Sequence, residues 1–386
     1  MSGEAESVPK KAYLYFANLD GIRAIAALMV VLSHIQLHKK LQGIQHQDLI
    51  DFKNFGKIGV TIFFTLSGFL ITYLLLEEKK RFKKVSFKAF YIRRILRIWP
   101  LYFLLILVGF FVYPAEGSMH ALWLSLFLMP NVAFCMKLLP NIFDPIWSIG
   151  VEEQFYIFHP HIFRQKKVQN ILYTLTGILI VLVALNLTVR YYQYQSQFLL
   201  NLDLFLYFTR FDDMMIGAIV ALLYFNTKNN CFTFGFQSAF NLLLNKYFQM
   251  ALAAAFIAFI CLFVHKEIGQ GDLIISAFSA LMMVYLCEPG TTNAFFGNKA
   301  VAYCGKISYG IYLLHKYPLM LMLYIVRNYI PPASTFWQTI ILYLGTIVLV
   351  VLLASVSYFG FERYFLRMKS RFQKITSNKL AATNAA

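Results

Sequence analysis

An all-α, polytopic membrane protein is the fold class this sequence predicts, and three observations carry the prediction. Apolar residues make up 59% of the 386 and charged residues only 14%, against about 45–50% and 25% in soluble domains. Apolar runs of about 20 residues, the length of a bilayer-spanning helix, recur along the chain. Basic residues cluster between those runs, with 35 Lys and Arg against 18 Asp and Glu, a net charge of +17. Such a composition excludes a soluble globular enzyme and a disordered chain. It also excludes a nucleic-acid binder, whose Lys and Arg would cover a polar surface. The five cysteines are odd in number and widely spaced, with no C-x-x-C. Neither a disulfide framework nor a metal site is predicted.

Ten spans are predicted, at 20–38, 57–76, 98–113, 145–163, 170–190, 203–225, 247–265, 271–287, 306–329 and 336–359. An eleventh apolar stretch, 119–135, contains Pro130 and Asn131. The positive-inside rule decides its fate. With ten spans and both termini cytoplasmic, 24 Lys and Arg fall on the inner side and six on the outer. An eleventh span would reverse the basic C-terminus. The 114–144 segment is therefore expected to be an outer loop carrying a re-entrant or interfacial helix. No cleavable signal peptide is visible. The expected division is a cytoplasmic segment 1–18, a membrane domain 19–365 and a basic cytoplasmic tail 366–386.

Ionisable residues inside spans cost a few kcal/mol each and mark functional positions by default; helix-gluing hydrogen bonds are the bland reading. Arg23 and His34 lie eleven residues apart in LDGIRAIAALMVVLSH. Eleven steps return to within about 20° of one helix face, some 16 Å further along. The two can line one path across the membrane, although Arg23 also suits a snorkelling anchor. Glu152 and Glu153, in WSIGVEEQFY, diverge by about 100°, so one can face a site while the other pairs elsewhere. Arg210, Asp212 and Asp213, in RFDDMMIG, read as an ion-pair network locking helices around a cavity. The inner loop 77–97 holds nine Lys and Arg. Lipid headgroups explain most of them, but Arg94 and Arg97, i and i+3 on one face beside Arg93, can grip phosphates. Ser67, in FFTLSGFL, reads as packing glue. Ser308, Tyr312 and His315, in GKISYGIYLLH, share a face at i, i+4 and i+7.

Together these stretches resemble the membrane acyltransferase-3 family of bacterial cell-envelope O-acyltransferases. LDGIRAIAALMVVLSH, FFTLSGFLI, FYIRRILRIWPLYF, WSIGVEEQFY, RFDDMMIG and GKISYGIYLLH follow the family's order from about residue 19 to 365. Arg23 and His34 meet its Arg-x10-His pattern, and Arg94 and Arg97 its R-x-x-R pattern. The resemblance implies a ten-helix domain of a bacterial inner membrane. It implies transfer of an acyl group, commonly acetyl, from cytoplasmic acyl-CoA to a hydroxyl of an exported carbohydrate. The form expected is one without an extracellular hydrolase-like domain. His159 and His161 depart from the pattern and are expected to be interfacial, without a role.

On that reading, His34 is general base or acyl carrier, and Glu152 or Glu153 orients the imidazole or the sugar. Arg94, Arg97 and Arg93 hold CoA phosphates, with Arg23 as a further contact. Asp20, Ser67, Trp147, Ser148, Arg210, Asp212, Asp213, Ser308, Tyr312 and His315 are structural or line the substrate path. Acyl-CoA, a carbohydrate acceptor and membrane lipids are the expected partners. The rival class is a lipid or sugar transporter, which buried charges also suit, although the two halves show no inverted hydropathy symmetry.

Overall fold

Long apolar sequences with few helix breakers form long helices here, and polar breaks end them. The computed structural model describes residues 12–13, 16–44, 52–112, 118–233, 237–243, 245–265, 271–288, 296, 298–331, 334–372 and 375–376. Of the segment 1–18 and the tail 366–386, all but these residues lie outside the described part. In chain order the helices are α1 (Ala17–Leu41), α2 (Phe55–Phe82), α3 (Phe87–Val112), α4 (Ser118–Leu126), α5 (Pro130–Cys135) and α6 (Ile146–Ile162). They continue as α7 (Val168–Tyr192), α8 (Gln197–Thr209), α9 (Phe211–Asn229), α10 (Gln237–Leu242), α11 (Lys246–His265) and α12 (Gly271–Leu286). The last are α13 (Lys299–Lys306), α14 (Ser308–Leu314), α15 (Lys316–Tyr329), α16 (Thr335–Ser357) and α17 (Arg363–Ser370). The one pair of strands, two residues each among the described residues, joins Ala12 to Ile375 and Tyr13 to Thr376 in parallel. Residues 12–13 and 375–376 therefore lie side by side.

This is a helical, multi-pass membrane protein. Among the described residues five helices are long and apolar enough to cross a bilayer alone, those built on α1, α2, α3, α7 and α16. The α14–α15 pair makes a sixth, bent by 52° at His315. The apolar parts of α11 and α12 are shorter. Each expected span falls on a helix or a broken helix, but two are interrupted where continuity was expected. The 203–225 span breaks at Arg210, whose φ of 47° and ψ of 34° are left-handed and separate α8 from α9. A non-glycine residue there is strained, and the ion pairs described below hold it. The 306–329 span breaks at Ile307 and again at His315.

The basic 77–97 segment is mostly helix rather than loop: α2 runs on to Phe82 and α3 begins at Phe87. Lys, Arg and Glu are good helix formers, and only four residues connect the two helices. Glu78 caps the turn by accepting the Ser86 amide at 2.9 Å. The 119–135 stretch forms α4 and α5, two short helices that pack beside α3, α6 and α8.

The core is built around α2, which is buried along most of its length and packs on α1, α6, α9 and α12. By contrast α7 exposes Ile180, Val181, Leu185 and Leu187 on a lipid-suited face. Contact between α2 and α9 is backbone-close through Gly68 and Gly217. An added Cβ on Gly68 would overlap the Met214 carbonyl, and one on Gly217 the Thr65 carbonyl. Small residues permit such approach in membrane bundles. Backbone cannot rotate away as a side chain can, so Gly217→Ala is expected to destabilise by about 1–3 kcal/mol or more. A lowered thermal midpoint in detergent checks this.

Candidate active site

Helices α1, α2, α3, α6 and α14 enclose a cavity between them. Its water-holding volume is about 100 Å³, room for several waters or a small acyl group. The cavity reaches along α2 from Val60 to Ile71, some 16 Å at about 1.5 Å per residue. One end carries Arg23, Arg94 and Arg97, the middle Ser67, Glu152 and Tyr156, and the other end Ser148 and Tyr312.

At the arginine end, helix direction sorts the cations. Arg23 is bound to Asp20, one turn back on α1, at 2.5 Å. Arg94 and Arg97 line the cavity from one face of α3. Neither forms an ion pair within 4 Å among the described residues. Arg94 packs over the Phe90 and Tyr156 rings, 5.6 and 5.4 Å to their centroids, and its buried Nε has no hydrogen-bond partner. Arg93, about 100° round the helix, is instead paired with Glu78 at 3.1 Å and donates to the Phe372 carbonyl at 3.0 Å.

The same divergence separates the two acids of α6. Glu152 faces the cavity, close to Ser67, Tyr156, Arg94 and Arg97. Glu153 faces α3 and accepts a hydrogen bond from Trp99 Nε1 at 2.7 Å. Ser67 and Tyr156 are hydrogen-bonded to each other.

At the far end Ser148 and Tyr312 share a hydroxyl–hydroxyl bond of 2.6 Å. Ser308 also lines the wall, while Trp147 lies outside it, against Phe64, Phe134 and Phe208. His34 is not in the wall itself. It lies beyond Tyr312, half-buried, with its Nδ1 3.0 Å from His315 Nε2 and 3.1 Å from the Val30 carbonyl. The His315 Nδ1 is 2.7 Å from the Tyr312 carbonyl. Two neutral rings satisfy these partners in one way only. The carbonyl requires N–H on His315 Nδ1, so His315 Nε2 is a lone pair and accepts from His34 Nδ1–H. That tautomer leaves the Nε2 lone pair of His34 available as a base.

Sequence reasoning missed a buried set next to this pair. Lys316, fully buried, lies 2.8 Å from His38 Nε2 and 3.2 Å from Asp144. A Lys inside a span was the available signal. It also missed Tyr156, which shares the Glu152 face at i+4. His159 corrects an expectation: it is buried, bonded to Thr72 Oγ1 at 2.8 Å and stacked on Phe155. His161 is exposed, 3.1 Å from the Tyr91 hydroxyl.

Arg210, Asp212 and Asp213 lie apart from the main cavity, against a smaller one. The Arg210 guanidinium pairs with Asp213 at 2.7 Å, approaches Asp272 at 3.4 Å and bonds Thr61. Ser276 donates to Asp213 at 2.6 Å. The network ties α2, α9 and α12 together. The Asp212 carboxylate accepts the Asp213 amide at 3.1 Å. Removing Arg210 alone strands a buried carboxylate, so Arg210→Met is expected to cost about 3–5 kcal/mol, read as a fall in the thermal midpoint. Arg210→Met with Asp213→Leu is expected to recover part of that loss.

Fold and site together define a polytopic membrane protein whose helices enclose a polar cavity, basic at one end and adjoining a histidine pair at the other. Residues 16–358 match the profile of the acyltransferase-3 family, described as "Acyltransferase domain", and the chain belongs to that family. The chain is 28% identical to a Bacillus subtilis protein named "Putative peptidoglycan O-acetyltransferase YrhL", over 90% of this chain and 54% of the relative. It is 25% identical to "Peptidoglycan O-acetyltransferase OatA" of Listeria monocytogenes, over 95% of this chain and 59% of that protein. The chain thus spans little more than half the length of these relatives. No solved structure gives a significant match.

Proposed function

We propose that this protein is a membrane O-acyltransferase. It moves an acyl group, acetyl in the simplest case, from cytoplasmic acyl-CoA to a hydroxyl of a cell-envelope carbohydrate. The observation that carries the reading is the cavity itself, which has Arg94 and Arg97, without ion pairs among the described residues, at one end and the His34–His315 pair beyond the other. Phosphate is the natural counter-charge for two such guanidinium groups. The names of the relatives favour acetyl as the group and peptidoglycan as the acceptor.

In the proposed reaction the acceptor O–H attacks the thioester carbonyl, and His34 Nε2 takes its proton. The carbon–sulfur bond breaks, and the leaving thiolate takes up that proton from His34, giving free CoA and the neutral imidazole again. The Val30 carbonyl and His315 together hold the His34 tautomer, and Glu152 orients the acceptor or the thioester. The proposed topology is ten crossings of a bacterial inner membrane with both termini cytoplasmic. Pairing of residues 12 and 375 supports an even number of crossings.

The test is purified protein in nanodiscs with labelled acetyl-CoA and a panel of cell-envelope glycans. Release of CoA thiol with label on one glycan is the expected result. Passage of label across the bilayer of sealed proteoliposomes, without thiol release, would mean a transporter instead.

A further inference from the structure

The cavity stops short of the histidine pair, and one side chain stands between them. At that end the wall is made by Val60, Phe63 and Phe64 of α2, Ser148 and Ile149 of α6, and Tyr312 of α14. Neither His34 nor His315 lines it. Tyr312 touches both sides. Its hydroxyl bonds Ser148 at 2.6 Å, its ring meets Phe63 edge to face with 5.6 Å between centroids, and its carbonyl holds His315 Nδ1 at 2.7 Å. The His315 ring lies 6.3 Å from the Tyr312 ring. Tyr312 and Ser148 are both buried, and the Tyr312 hydroxyl has no second hydrogen-bond partner among the described residues. One hydrogen bond and one ring contact thus hold this side chain across the end of the cavity. The helix that carries it has seven residues and is broken at Ile307 and at His315, where α15 turns away by 52°. Pro318 has no N–H to return to the Leu314 carbonyl, so the helix ladder across the second break lacks a bond. Element ends of this kind are where a packed span hinges. The reaction needs the thioester, the acceptor hydroxyl and His34 together, yet with Tyr312 on Ser148 the cavity ends before His34 is reached. His34 is only half-buried, so the far side of Tyr312 is also the side that water can approach.

We propose that Tyr312, latched on Ser148 and backed by Phe63, decides between transfer of the acyl group to the acceptor and its loss to water. It separates the acyl group from His34 until an acceptor hydroxyl replaces Ser148 as the partner of the Tyr312 hydroxyl. A sugar hydroxyl donates and accepts as Ser148 does. The rest of the carbohydrate supplies the binding energy that moves the side chain, and a lone water brings no such energy. If the latch opens without an acceptor, water takes its place. The water oxygen attacks the thioester carbonyl, His34 takes the proton and returns it to the leaving thiolate, and the products are acetic acid and CoA thiol. This inference rests on the acyltransferase reading above.

Purified protein in nanodiscs is given labelled acetyl-CoA with no glycan, and thiol and acetate are followed. Tyr312→Phe removes the hydroxyl and keeps the ring. Ser148→Ala removes the same bond from the other side, so each variant reads it if the other fails to fold. Both are expected to release thiol about fivefold faster than the wild-type protein, the worth of one neutral hydrogen bond, with an equal amount of acetate. Ser148→Thr, which keeps a hydroxyl, is expected to bring the rate back toward that of the wild-type protein. Adding His34→Ala to Tyr312→Phe is expected to abolish the gain, because the base stands beyond the opened end. When the glycan that the wild-type protein acetylates is supplied, the share of released thiol matched by glycan ester is expected to fall in both single variants. Thiol release no faster than wild type in either would overturn the inference. So would a gain that survives His34→Ala, since the opened end would then not lead to the histidine pair. A loss in Tyr312→Phe with Ser148→Ala unmoved would make the hydroxyl a contact of the reacting group and overturn it. An equal gain in Gly217→Ala, which disturbs the α2–α9 contact instead, would assign the effect to general loosening and overturn it as well. Failure of the wild-type protein to acetylate any glycan removes the acyltransferase reading itself, a result distinct from the others.

Discussion

His34→Ala is expected to lower kcat for CoA-thiol release by about 10²–10⁴-fold, the usual worth of a positioned general base. CoA affinity and the thermal midpoint are expected to stay near the wild-type values. The separation follows from the geometry. His34 is half-buried beyond the Tyr312 end of the cavity, away from Arg94 and Arg97, and among the described residues its Nε2 makes no hydrogen bond. Losing it removes a proton acceptor and not a phosphate contact, so the change falls on kcat rather than on KM for the donor. His315→Ala tests the other half of the pair. It removes one of the two acceptors that face His34 Nδ1–H and leaves the Val30 carbonyl as the other, so the ring is held less firmly and kcat falls less than in His34→Ala. Steady-state rates at saturating acetyl-CoA, with equilibrium CoA binding, check both. Turnover of His34→Ala within a few-fold of the wild-type protein would remove the base assignment. Acid quenching addresses the alternative in which His34 carries the acyl group: label retained on the wild-type protein and absent from His34→Ala would mark a covalent relay.

Much of this site was legible because helix geometry is local. The i, i+3 spacing of Arg94 and Arg97 fixes their shared face, whereas the eleven-residue step from Arg23 to His34 brings only Arg23 into the cavity wall and leaves His34 beyond it. What stayed illegible depends on neighbours far away in sequence. Adjacent positions such as Glu152 and Glu153 point to different sides, and only the packing of α2 and α3 around α6 decides which side holds the cavity. The break at Arg210 has no Gly or Pro to announce it. It is held by Thr61 and Asp272, from helices distant in the chain. His159 read as interfacial because it lies near a helix end, yet Thr72 of α2 supplies the polar partner that lets it be buried. The fold class was the easiest to read, because the bilayer demands long apolar helices wherever the chain crosses it.

Replacing both Arg94 and Arg97 with Ala is expected to raise KM for acetyl-CoA by about 100-fold or more. Each charge-assisted contact to phosphate is worth about 1.5–3 kcal/mol, and the two act on one ligand. At saturating donor, kcat is expected to change far less, because neither guanidinium reaches the histidine end of the cavity. Acetyl-pantetheine, without phosphates, is expected to be used equally well by the variant. Stability is expected to hold, since these two arginines give up no ion pair among the described residues, whereas Arg93→Ala strands Glu78 and lowers the thermal midpoint. The double variant thus loses donor affinity with the fold intact, and Arg93→Ala loses stability with a smaller effect on KM. An unchanged KM in the double variant, with Arg93→Ala behaving alike, would return all three arginines to the anchoring of anionic lipid. The contrast is informative because the three residues share a helix, a charge and a stretch of five positions. Only their partners differ, so a difference in which constant changes can come only from what each guanidinium faces.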